Sequence, residues 1–427
     1  MVSNLIQSKT QNIPKLRFPG FSGVWEEKKF NDLYNFGVTN SFSRDKLNYK
    51  IGDVYNIHYG DIHTKFKSHF QIKKEKVPFV NNFNVEGVSN DVFVKEGDII
   101  VADTSEDYGD IGKTIEIISL NNQKVVSGLH TILGKKKSDN IASGFMGHLM
   151  KNELLRLRIK KIAQGVKVLG LPKKYFKNLK INLPTLPEQQ KISNFFSSVD
   201  EWTQNLKEQK ENLEAYKKGM MQKIFSQEVR FKGFDKDWEE KRLGEVCTVQ
   251  NGYAFKSENF KQKQGLLVIR ISNISSKSGK IEKNNSVYHP EIDINKNFKV
   301  KTGDLLIAMS GATTGKVSVF DLDELAYVNQ RVGIFKLKSK ELFYDFLVQM
   351  AFSEIFPKQL RRLLVAGAQP NICSSDIESF QIPLPCFEEQ QKIANFLTSL
   401  DNLIESKQHQ INKAEGWKKG LIRGLFV

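Results

Sequence analysis

The sequence contains one ordered set of blocks twice, and this internal repeat constrains the fold more than any other feature. FPGFSGVWEEKKF, which begins at Phe18, corresponds to FKGFDKDWEEKRL, which begins at Phe231. INLPTLPEQQKISNFFSSVD, from Ile181, corresponds to IPLPCFEEQQKIANFLTSLD, from Ile382. Two further pairs, GDIIVA with GDLLIA and YKKGMMQKIF with WKKGLIRGLF, keep the same order. Matching blocks in one order indicate a duplicated structural unit.

Each copy closes with a segment that contains no proline, at 188–226 and at 388–427. Apolar residues recur in both at spacings of three and four, the a/d pattern of a coiled coil. Such a helix would measure ~57 Å, which is longer than one small domain needs. Two separate amphipathic helices, each lying on its own domain, are the alternative. The predicted helix-pairing residues are Val199, Trp202, Leu206, Gln209, Leu213 and Tyr216 in the first segment and Leu400, Leu403, Gln410 and Trp417 in the second.

The rest of the chain divides into two globular parts of mixed α/β character. Strand-like runs at 98–102, 113–118, 266–271, 304–308 and 331–337 are separated by Gly-, Asn-, Ser- and Lys-rich turns, and 141–158 and 342–356 have helical patterns. The predicted domains are 1–187, with a loose N-terminal arm at 1–17, and 227–387. Each is followed by its helix, at 188–226 or 388–427.

Positive charge is concentrated in these globular parts. The chain has 64 Lys and Arg against 48 Asp and Glu, a formal net charge of +16. The two closing segments together hold 12 basic and 11 acidic residues, so nearly all of the excess lies outside them. A basic protein surface attracts polyanions, and nucleic acid is the first candidate.

The residues do not assemble a catalytic motif. SGATTGKVS, from Ser310, and DYGDIGKTI, from Asp107, imitate a phosphate-binding loop, but neither has the GxxxxGK[ST] spacing with which backbone amides wrap phosphates. Methyltransferase motifs in context and a nuclease carboxylate cluster are missing from the sequence. The histidines form no closely spaced metal-binding pair, and His58 and His63 are interpreted as loop residues. The sequence therefore predicts a binding protein without catalytic residues and without a metal site.

The cysteine pattern and the hydropathy favour a cytoplasmic protein. Cys247, Cys373 and Cys386 lie far apart and show no CxxC spacing, as is usual in a reducing compartment. No apolar run approaches the ~18 residues of a membrane span, and the first residues lack a signal-peptide pattern.

The second copy carries the motifs of a known family. It reads NGYAFKSENF, VIRISNI, GDLLIAMSGATTGK, VNQRVGIFKL and GAQPNI, and it ends in the EQQKI block that both copies share. This succession resembles the target recognition domains of specificity subunits from type I restriction–modification systems. The resemblance covers nearly the whole chain, and its most specific part is the doubled EQQKI block followed by a helix.

The resemblance implies two target recognition domains, each followed by a long helix, with the two helices packed as an antiparallel coiled coil. It also implies a bipartite, asymmetric site on double-stranded DNA. Such subunits have no catalytic activity; they join two modification subunits, which use S-adenosylmethionine to methylate adenine N6, and restriction subunits, which use ATP and Mg. By this resemblance the chain itself binds no cofactor.

Base readout requires donors and acceptors that reach base edges, such as Arg or Lys on guanine and Asn or Gln on adenine. In the second copy the predicted DNA-binding residues are Asn251, Tyr253, Lys256, Ser310, Thr313, Thr314, Lys316, Asn329, Gln330, Arg331, Gln369 and Asn371. In the first copy, whose motifs depart from the family pattern, they are Ser41, Arg44, Lys46, Ser105, Tyr108, Lys113, Ser127, His130, Gln164 and Lys167.

Two other functions remain compatible with the residues. One is a non-catalytic basic scaffold or RNA-binding protein that binds without reading sequence. The other is the specificity half of a single-chain restriction–methylation enzyme, against which the missing methyltransferase motifs weigh.

Overall fold

The computed structural model describes residues 12–83, 86, 88–275, 279–291, 295–364 and 371–427. The chain forms two compact units: the first contains the residues up to Lys207 together with His409–Val427, and the second contains Glu208–Gln408. Each unit therefore holds one globular part, the beginning of one closing helix and the end of the other. In the described ranges we find no helix with the length and apolar character required to cross a bilayer.

The first unit is built around two mixed sheets. Its strands are Glu26–Lys29 (β1), Tyr34–Phe36 (β2), Leu47–Asn48 (β3), Val54–Ile57 (β4), His69–Gln71 (β5), Phe79–Val80 (β6), Ile99–Ala102 (β7), Thr104–Ser105 (β8), Thr114–Ser119 (β9), Lys124–Ser127 (β10), Thr131–Lys136 (β11), Leu169–Gly170 (β12) and Lys180–Leu183 (β13). Its helices are Phe30–Leu33 (α1), Tyr59–Thr64 (α2), Phe145–Leu149 (α3), Glu153–Ile162 (α4), Lys173–Asn178 (α5) and the first part of Leu186–Phe225 (α6). The sheets have strand orders β2-β11-β7-β9-β5 and β10-β4-β6-β3, and β1-β13 and β12-β8 form separate pairs.

The second unit repeats this plan. Its strands are Glu239–Arg242 (β14), Cys247–Asn251 (β15), Leu266–Ile269 (β16), Val287–His289 (β17), Lys299–Val300 (β18), Leu305–Ala308 (β19), Val317–Val319 (β20), Ala326–Val328 (β21), Val332–Leu337 (β22) and Gln381–Leu384 (β23). Its helices are Leu243–Val246 (α7), Tyr344–Ala351 (α8), Ile355–Leu364 (α9), Ser374–Glu378 (α10) and the first part of Phe387–Leu425 (α11). The sheets have strand orders β15-β22-β19-β20 and β17-β16-β21-β18, and β14 pairs with β23.

The two sequence blocks that open and close each copy pair with each other. Glu26 in β1 lies opposite Leu183 in β13, and Glu239 in β14 lies opposite Leu384 in β23, both in antiparallel pairs. A parallel pair also recurs: β4 pairs with β10 in the β10-β4-β6-β3 sheet of the first unit, and β16 pairs with β21 in the β17-β16-β21-β18 sheet of the second. The internal repeat of the sequence is thus a repeat of topology.

The predicted helical patterns at 141–158 and 342–356 are each divided into two helices. The Asn152 side chain accepts a hydrogen bond from the Leu155 amide at 3.1 Å and starts α4 after α3. The Ser353 hydroxyl accepts one from the Ile355 amide at 3.2 Å at the start of α9. A polar side chain that satisfies the first amides of a helix starts a new helix at these points.

The end of each closing helix packs into the globular part of the other copy. The core of the first unit includes Ile422 and Leu425 from the end of α11 and Phe426 just beyond it. The Phe426 ring lies edge-on to Trp25, with ring centroids 6.4 Å apart. The core of the second unit includes the end of α6, through residues such as Ile224.

The glutamate of the EQQ motif anchors the start of each closing helix. Glu188 accepts two hydrogen bonds from the Arg17 guanidinium, at 2.8 and 2.7 Å. Glu389 accepts the same pair from Arg230, at 3.1 and 2.8 Å, and a third bond from the Trp238 indole at 3.0 Å. Arg17 is therefore held in place, and the prediction of a loose arm is wrong for the end of that segment.

The following glutamine closes the turn that leads into the helix. The Gln189 side-chain amide donates to the Pro184 carbonyl at 2.9 Å, and that of Gln390 donates to the Pro385 carbonyl at the same distance. Both glutamine side chains are buried. The doubled motif is therefore explained by the need to satisfy the backbone where a long helix leaves its domain.

The closing helices pair antiparallel. Ion pairs join Asp200 to Lys418 and Lys207 to Glu415 in the first unit, the latter at 2.6 Å, and Lys217 to Asp401 in the second, also at 2.6 Å. As the residue numbers increase along α6, those of their ion-pair partners on α11 decrease. The two helices therefore run in opposite directions.

At every other position along these helices the predicted helix-pairing residue is buried, and at the positions in between a neighbouring residue is enclosed instead. Val199, Leu206 and Leu400 are buried and Leu213 is half-buried, whereas Gln209 and Gln410 are exposed. The remaining predicted helix-pairing residues are about half exposed: Trp202 (49%), Tyr216 (51%), Leu403 (50%) and Trp417 (51%).

The neighbouring polar residues take the enclosed places. Thr203 is buried, and its hydroxyl donates to the Val199 carbonyl at 2.8 Å. The side chains of Lys217 and Lys418 are only 15% and 13% exposed, because each ammonium group is neutralised by an aspartate. The hydrophobic pattern predicted that the large aromatic residues would be buried between the helices. A lysine can instead bury its aliphatic chain while its ammonium group forms an ion pair.

Candidate nucleic-acid interface

Several loops of the second unit meet at one cleft. Backbone hydrogen bonds hold them together: the Met309 amide donates to the Arg331 carbonyl and the Ile372 amide to the Met309 carbonyl, both at 2.9 Å. The cleft has a volume of about 220 Å³. It is lined by the predicted residues Asn251, Ser310, Gln330, Arg331 and Asn371, together with Met309, Ile372 and Cys373.

The polar groups in this cleft are of the kind that reads bases. Gln330 and Arg331 are exposed at the turn between β21 and β22. In the described ranges no carboxylate lies within ion-pairing distance of Arg331. Asn251 is exposed at the end of β15, and its side-chain Oδ1 atom accepts a hydrogen bond from the Ser374 hydroxyl. An amide and a guanidinium on one rim can each make a bidentate contact with a base edge.

The GATTGK loop between β19 and β20 is a tight turn. Gly315 has φ +78°, and a Cβ there would lie 1.8 Å from the Leu360 Cδ2 atom of α9. The Thr313 hydroxyl donates to the Ile271 carbonyl at 3.2 Å, and that of Thr314 to the Gly311 carbonyl at 2.7 Å. These two hydrogen bonds stabilise the loop. Lys316 is exposed at this turn and carries a positive charge.

Three other predicted residues of the second unit, Tyr253, Lys256 and Asn329, are not among those that line the cleft. Tyr253 is 36% exposed, and its ring lies edge-on to Phe255 and Phe298 at 5.0 and 5.6 Å. Lys256 is exposed and Asn329 half-buried. The predicted Gln369 lies outside the described residues.

The first unit has a matching turn with different side chains. The Gly128 amide donates to the Ile57 carbonyl at 2.9 Å, as the Asn329 amide donates to the Ile269 carbonyl at 2.8 Å. The Asp103 amide donates to the His130 carbonyl at 3.1 Å, as Met309 does to Arg331. His130 therefore occupies the place of Arg331. Its imidazole Nδ1 lies 3.2 Å from the Thr104 hydroxyl.

The other predicted residues of the first unit differ widely in exposure. Those with exposed side chains are Ser41, Arg44, Lys46, Tyr108, Gln164 and Lys167. The ammonium group of Lys160 lies 5.3 Å from the centroid of the Tyr108 ring. The described structure thus spreads these residues over several loops and brings His130 and Thr104 together at the turn.

Arg44 is committed to an internal ion pair. Its guanidinium donates to both carboxylate oxygens of Asp61, at 2.6 and 2.9 Å, and Asp61 is fully buried. Burial alone would raise the pKa of Asp61, but hydrogen bonds from Arg44 and Lys65 bring that pKa below its ordinary value. A bidentate partner of a buried carboxylate has little freedom to read a base.

Three further predicted residues have polar atoms that bond within the first unit. Ser105 and Ser127 are buried, with hydroxyls that bond to the Asp107 carbonyl at 2.9 Å and to the Thr131 hydroxyl at 2.8 Å. The Lys113 ammonium donates to the His63 carbonyl at 2.6 Å. The two buried hydroxyls stabilise loops of the first unit, because they are already satisfied within it, whereas the Lys113 side chain is 40% exposed.

Sequence reasoning missed residues at two of the matching positions. The Asn40 amide donates to the Ser127 carbonyl at 3.0 Å, as the Tyr253 amide donates to the Val328 carbonyl at 2.8 Å. Asn40 and Thr104 thus correspond to the predicted Tyr253 and Ser310. The blocks around Asn40 differ between the copies, so only the repeated hydrogen bonds reveal the correspondence.

The chain matches the family model described as Type I restriction modification DNA specificity domain over residues 25–215 and 235–415. It is 32% identical to the type I restriction enzyme MjaVIII specificity subunit of Methanocaldococcus jannaschii, over 80% of this chain and 81% of that protein. It is 27% identical to the putative MjaX specificity subunit of the same organism, over 98% and 96%.

A solved structure has the same fold. The crystal structure of the S subunit of a type I restriction–modification system from M. genitalium aligns with a TM-score of 0.58 at 14% identity. The alignment covers 97% of this chain and 99% of that one.

Proposed function

This chain belongs to the family of type I restriction–modification specificity subunits, and we propose that it reads a bipartite, asymmetric site on double-stranded DNA, one half with each globular part. The observation that carries this proposal is the cleft of the second unit. There Asn251, Gln330 and Arg331 present amide and guanidinium groups from loops held by backbone hydrogen bonds. Rigidly held groups of this kind can distinguish base pairs in the major groove.

The asymmetry follows from the side chains at matching positions. His130 stands where the second unit has Arg331, and Thr104 stands where it has Ser310. An imidazole and a guanidinium offer different donors at different distances from the backbone. The two turns therefore favour different base sequences, and the two half-sites should differ.

The charge of the chain supports nonspecific attraction to DNA in addition to readout. Its formal net charge is +16, and the closing helices contribute almost none of it. Lysines on the globular parts that neutralise phosphates release counterions, so affinity should fall steeply with salt.

The closing helices offer a surface for partner subunits. Trp202, Tyr216, Leu403 and Trp417 are about half exposed along α6 and α11. Aromatic residues are enriched at protein interfaces. We propose that two modification subunits dock on the closing helices and that restriction subunits join this complex. In this proposal the partners hold S-adenosylmethionine, ATP and Mg, and the whole complex works in the cytoplasm without catalytic residues from this chain.

The test is a map of adenine methylation in cells that express the chain with its modification subunit. We expect one motif with two specified halves, different from each other and separated by an unspecified gap. The matched variant carries Gln330→Leu and Arg331→His, which gives the second turn the side chains of the first. It should change one half of the motif and leave the other half unchanged.

Two outcomes would contradict the proposal. One is a continuous motif or a perfect palindrome for the wild-type chain. The other is a double variant that changes both halves together, because the two turns would then not read separate half-sites.

A further inference from the structure

Two histidines and an aspartate from distant parts of the sequence meet in the first unit. They are His69 in β5, His148 in α3 and Asp200 in α6. A ring nitrogen of each histidine and a carboxylate oxygen lie within 4.8 Å of one another, and the two imidazole centroids are 4.0 Å apart. All three elements belong to the same unit.

His148 is the unusual member of this group. It is fully buried, and neither of its ring nitrogens has a hydrogen-bond partner. A buried imidazole without partners costs free energy that a ligand at the nitrogen would recover. Among the described residues His148 is the one histidine with both ring nitrogens buried and unpartnered.

His69 is already oriented as a metal-binding imidazole usually is. Its Nε2 lies 2.7 Å from the Gly144 carbonyl, to which only a protonated nitrogen can donate. The other nitrogen, Nδ1, then carries the lone pair; it lies 3.3 Å from the Ser68 hydroxyl, which a metal ion would displace. Metal-bound histidines typically donate their second ring nitrogen to a carbonyl or a carboxylate in this way.

The second unit shows how the same place is arranged without an imidazole. At the offset of the closing blocks, Gln349 corresponds to His148, Asp401 to Asp200 and Lys217 to Lys418. The Gln349 amide donates to the Asp401 carboxylate at 3.0 Å, and Lys217 contacts the same carboxylate at 2.6 Å. There a protein hydrogen bond replaces the contact that His148 lacks.

We propose that His69, His148 and Asp200 bind a Zn²⁺ ion that ties the start of α6 to β5 and α3. Two imidazoles and a carboxylate are ligands that Zn²⁺ accepts, with a water in the fourth position. Ligand atoms around tetrahedral zinc lie roughly 3.4 Å apart, so ligand atoms that are now up to 4.8 Å apart must approach one another by up to about 1.4 Å. Lys418 contacts the Oδ1 atom of Asp200, which leaves the second carboxylate oxygen for the ion.

Lysines beside the site set a limit on the affinity. Lys418 and Lys151 both place positive charge near Asp200. Their repulsion weakens binding of a dication relative to a site without lysines. Zinc is therefore expected to bind reversibly and to be removed by a chelator.

The experiment measures Zn²⁺ binding by the full-length chain after chelation, by calorimetry and by metal content after dialysis. We expect one ion per chain, and a Co²⁺-loaded sample with the visible absorption of a tetrahedral nitrogen and oxygen site. His148→Gln reproduces the arrangement of the second unit, so this variant should fold. It should bind Zn²⁺ more weakly, by ~10–100-fold or more, and Zn²⁺ should raise the melting temperature of the wild type but not of this variant.

His409→Gln is the matched control, because His409 is exposed on α11. It should bind Zn²⁺ as the wild type does. Equal binding by the wild type and His148→Gln would overturn the proposal, as would a wild-type chain that retains no zinc and gives no tetrahedral Co²⁺ spectrum. The spectrum of the wild type keeps the test decisive even if His148→Gln were to fold poorly.

Discussion

Lengthening both closing helices by one heptad should widen the gap between the two half-sites by about three base pairs. The change duplicates residues 203–209 in α6 and 404–410 in α11. Seven residues at ~1.5 Å each add ~10.5 Å along the helix axis. One base pair occupies ~3.4 Å of duplex, which gives the expected increase if helix and DNA axes run parallel. The seam stays in phase within ~20°, because seven residues make almost two turns.

The structure requires the insertion in both helices. Each unit holds the start of one closing helix and the end of the other. Ile224, at the end of α6, and Phe426, just beyond the end of α11, are core residues of their units. A heptad added to α6 alone would leave the two helices with unequal lengths between the same anchors. This single insertion is the first control, and it should abolish methylation.

A second control inserts two residues in both helices. The addition rotates each seam by ~200° at ~100° per residue and turns the buried line toward solvent. It should also abolish activity, although it adds less length than the heptad.

The assay is the methylation motif of each variant in cells. The two half-site sequences should stay the same in the heptad variant, because no loop of the cleft or of the matching turn is altered. An active heptad variant that methylates with the original gap would refute the reasoning, since the closing helices would then not set the distance between half-sites.

Three further predictions concern single residues. Arg331→Ala should cost about 1–3 kcal/mol of binding on the cognate site and relax one position of one half-site. Lys74→Ala, which removes an exposed positive charge from the globular part of the first unit, should weaken all sequences alike; binding titrations on cognate and altered duplexes distinguish the two. His130→Ala should relax a position in the other half-site, while Ser127→Ala should leave the methylation motif unchanged because its hydroxyl is buried. Burial raises the pKa of Glu116 to about 7, above its value in the unfolded chain. The protonated Glu116 side chain therefore contributes fully to stability at acidic pH, and this contribution is lost as pH rises through about 7. As pH rises to about 7, the melting temperature of the wild type should fall relative to that of Glu116→Gln. Parallel plots of melting temperature against pH for the two proteins would contradict the raised pKa.

The residues that line the cleft of the second unit were largely predictable from sequence, and those at the matching turn of the first unit were not. Asn251, Gln330, Arg331 and Asn371 lie on loops whose motifs follow the family pattern, and they line one cleft. In the first unit the motifs diverge, and a hydroxyl such as that of Ser127 reads the same in sequence when it is buried as when it is exposed. The repeated backbone hydrogen bonds identify His130 as the counterpart of Arg331.

For the closing helices, too, one feature could be predicted from the sequence and another could not. Their spacing predicts two long helices, and helices of 40 and 39 residues form, at Leu186–Phe225 and Phe387–Leu425. Their buried face depends on partners far away in the chain. Lys217 is enclosed because Asp401 neutralises it, and Trp202 is left half exposed. A hydropathy pattern ranks residues one at a time and cannot register an ion pair across 184 residues.

By itself the sequence determined the duplicated plan, the starts of the closing helices and the concentration of positive charge outside them. These features are encoded locally, in blocks whose residues satisfy their own neighbouring backbone, as Gln189 and Gln390 do. The tertiary structure alone decided that each closing helix ends in the core of the other copy's unit and that His69, His148 and Asp200 meet. Such contacts join residues separated by long stretches of chain, and their free energy depends on burial and pairing that exist only once the chain has folded.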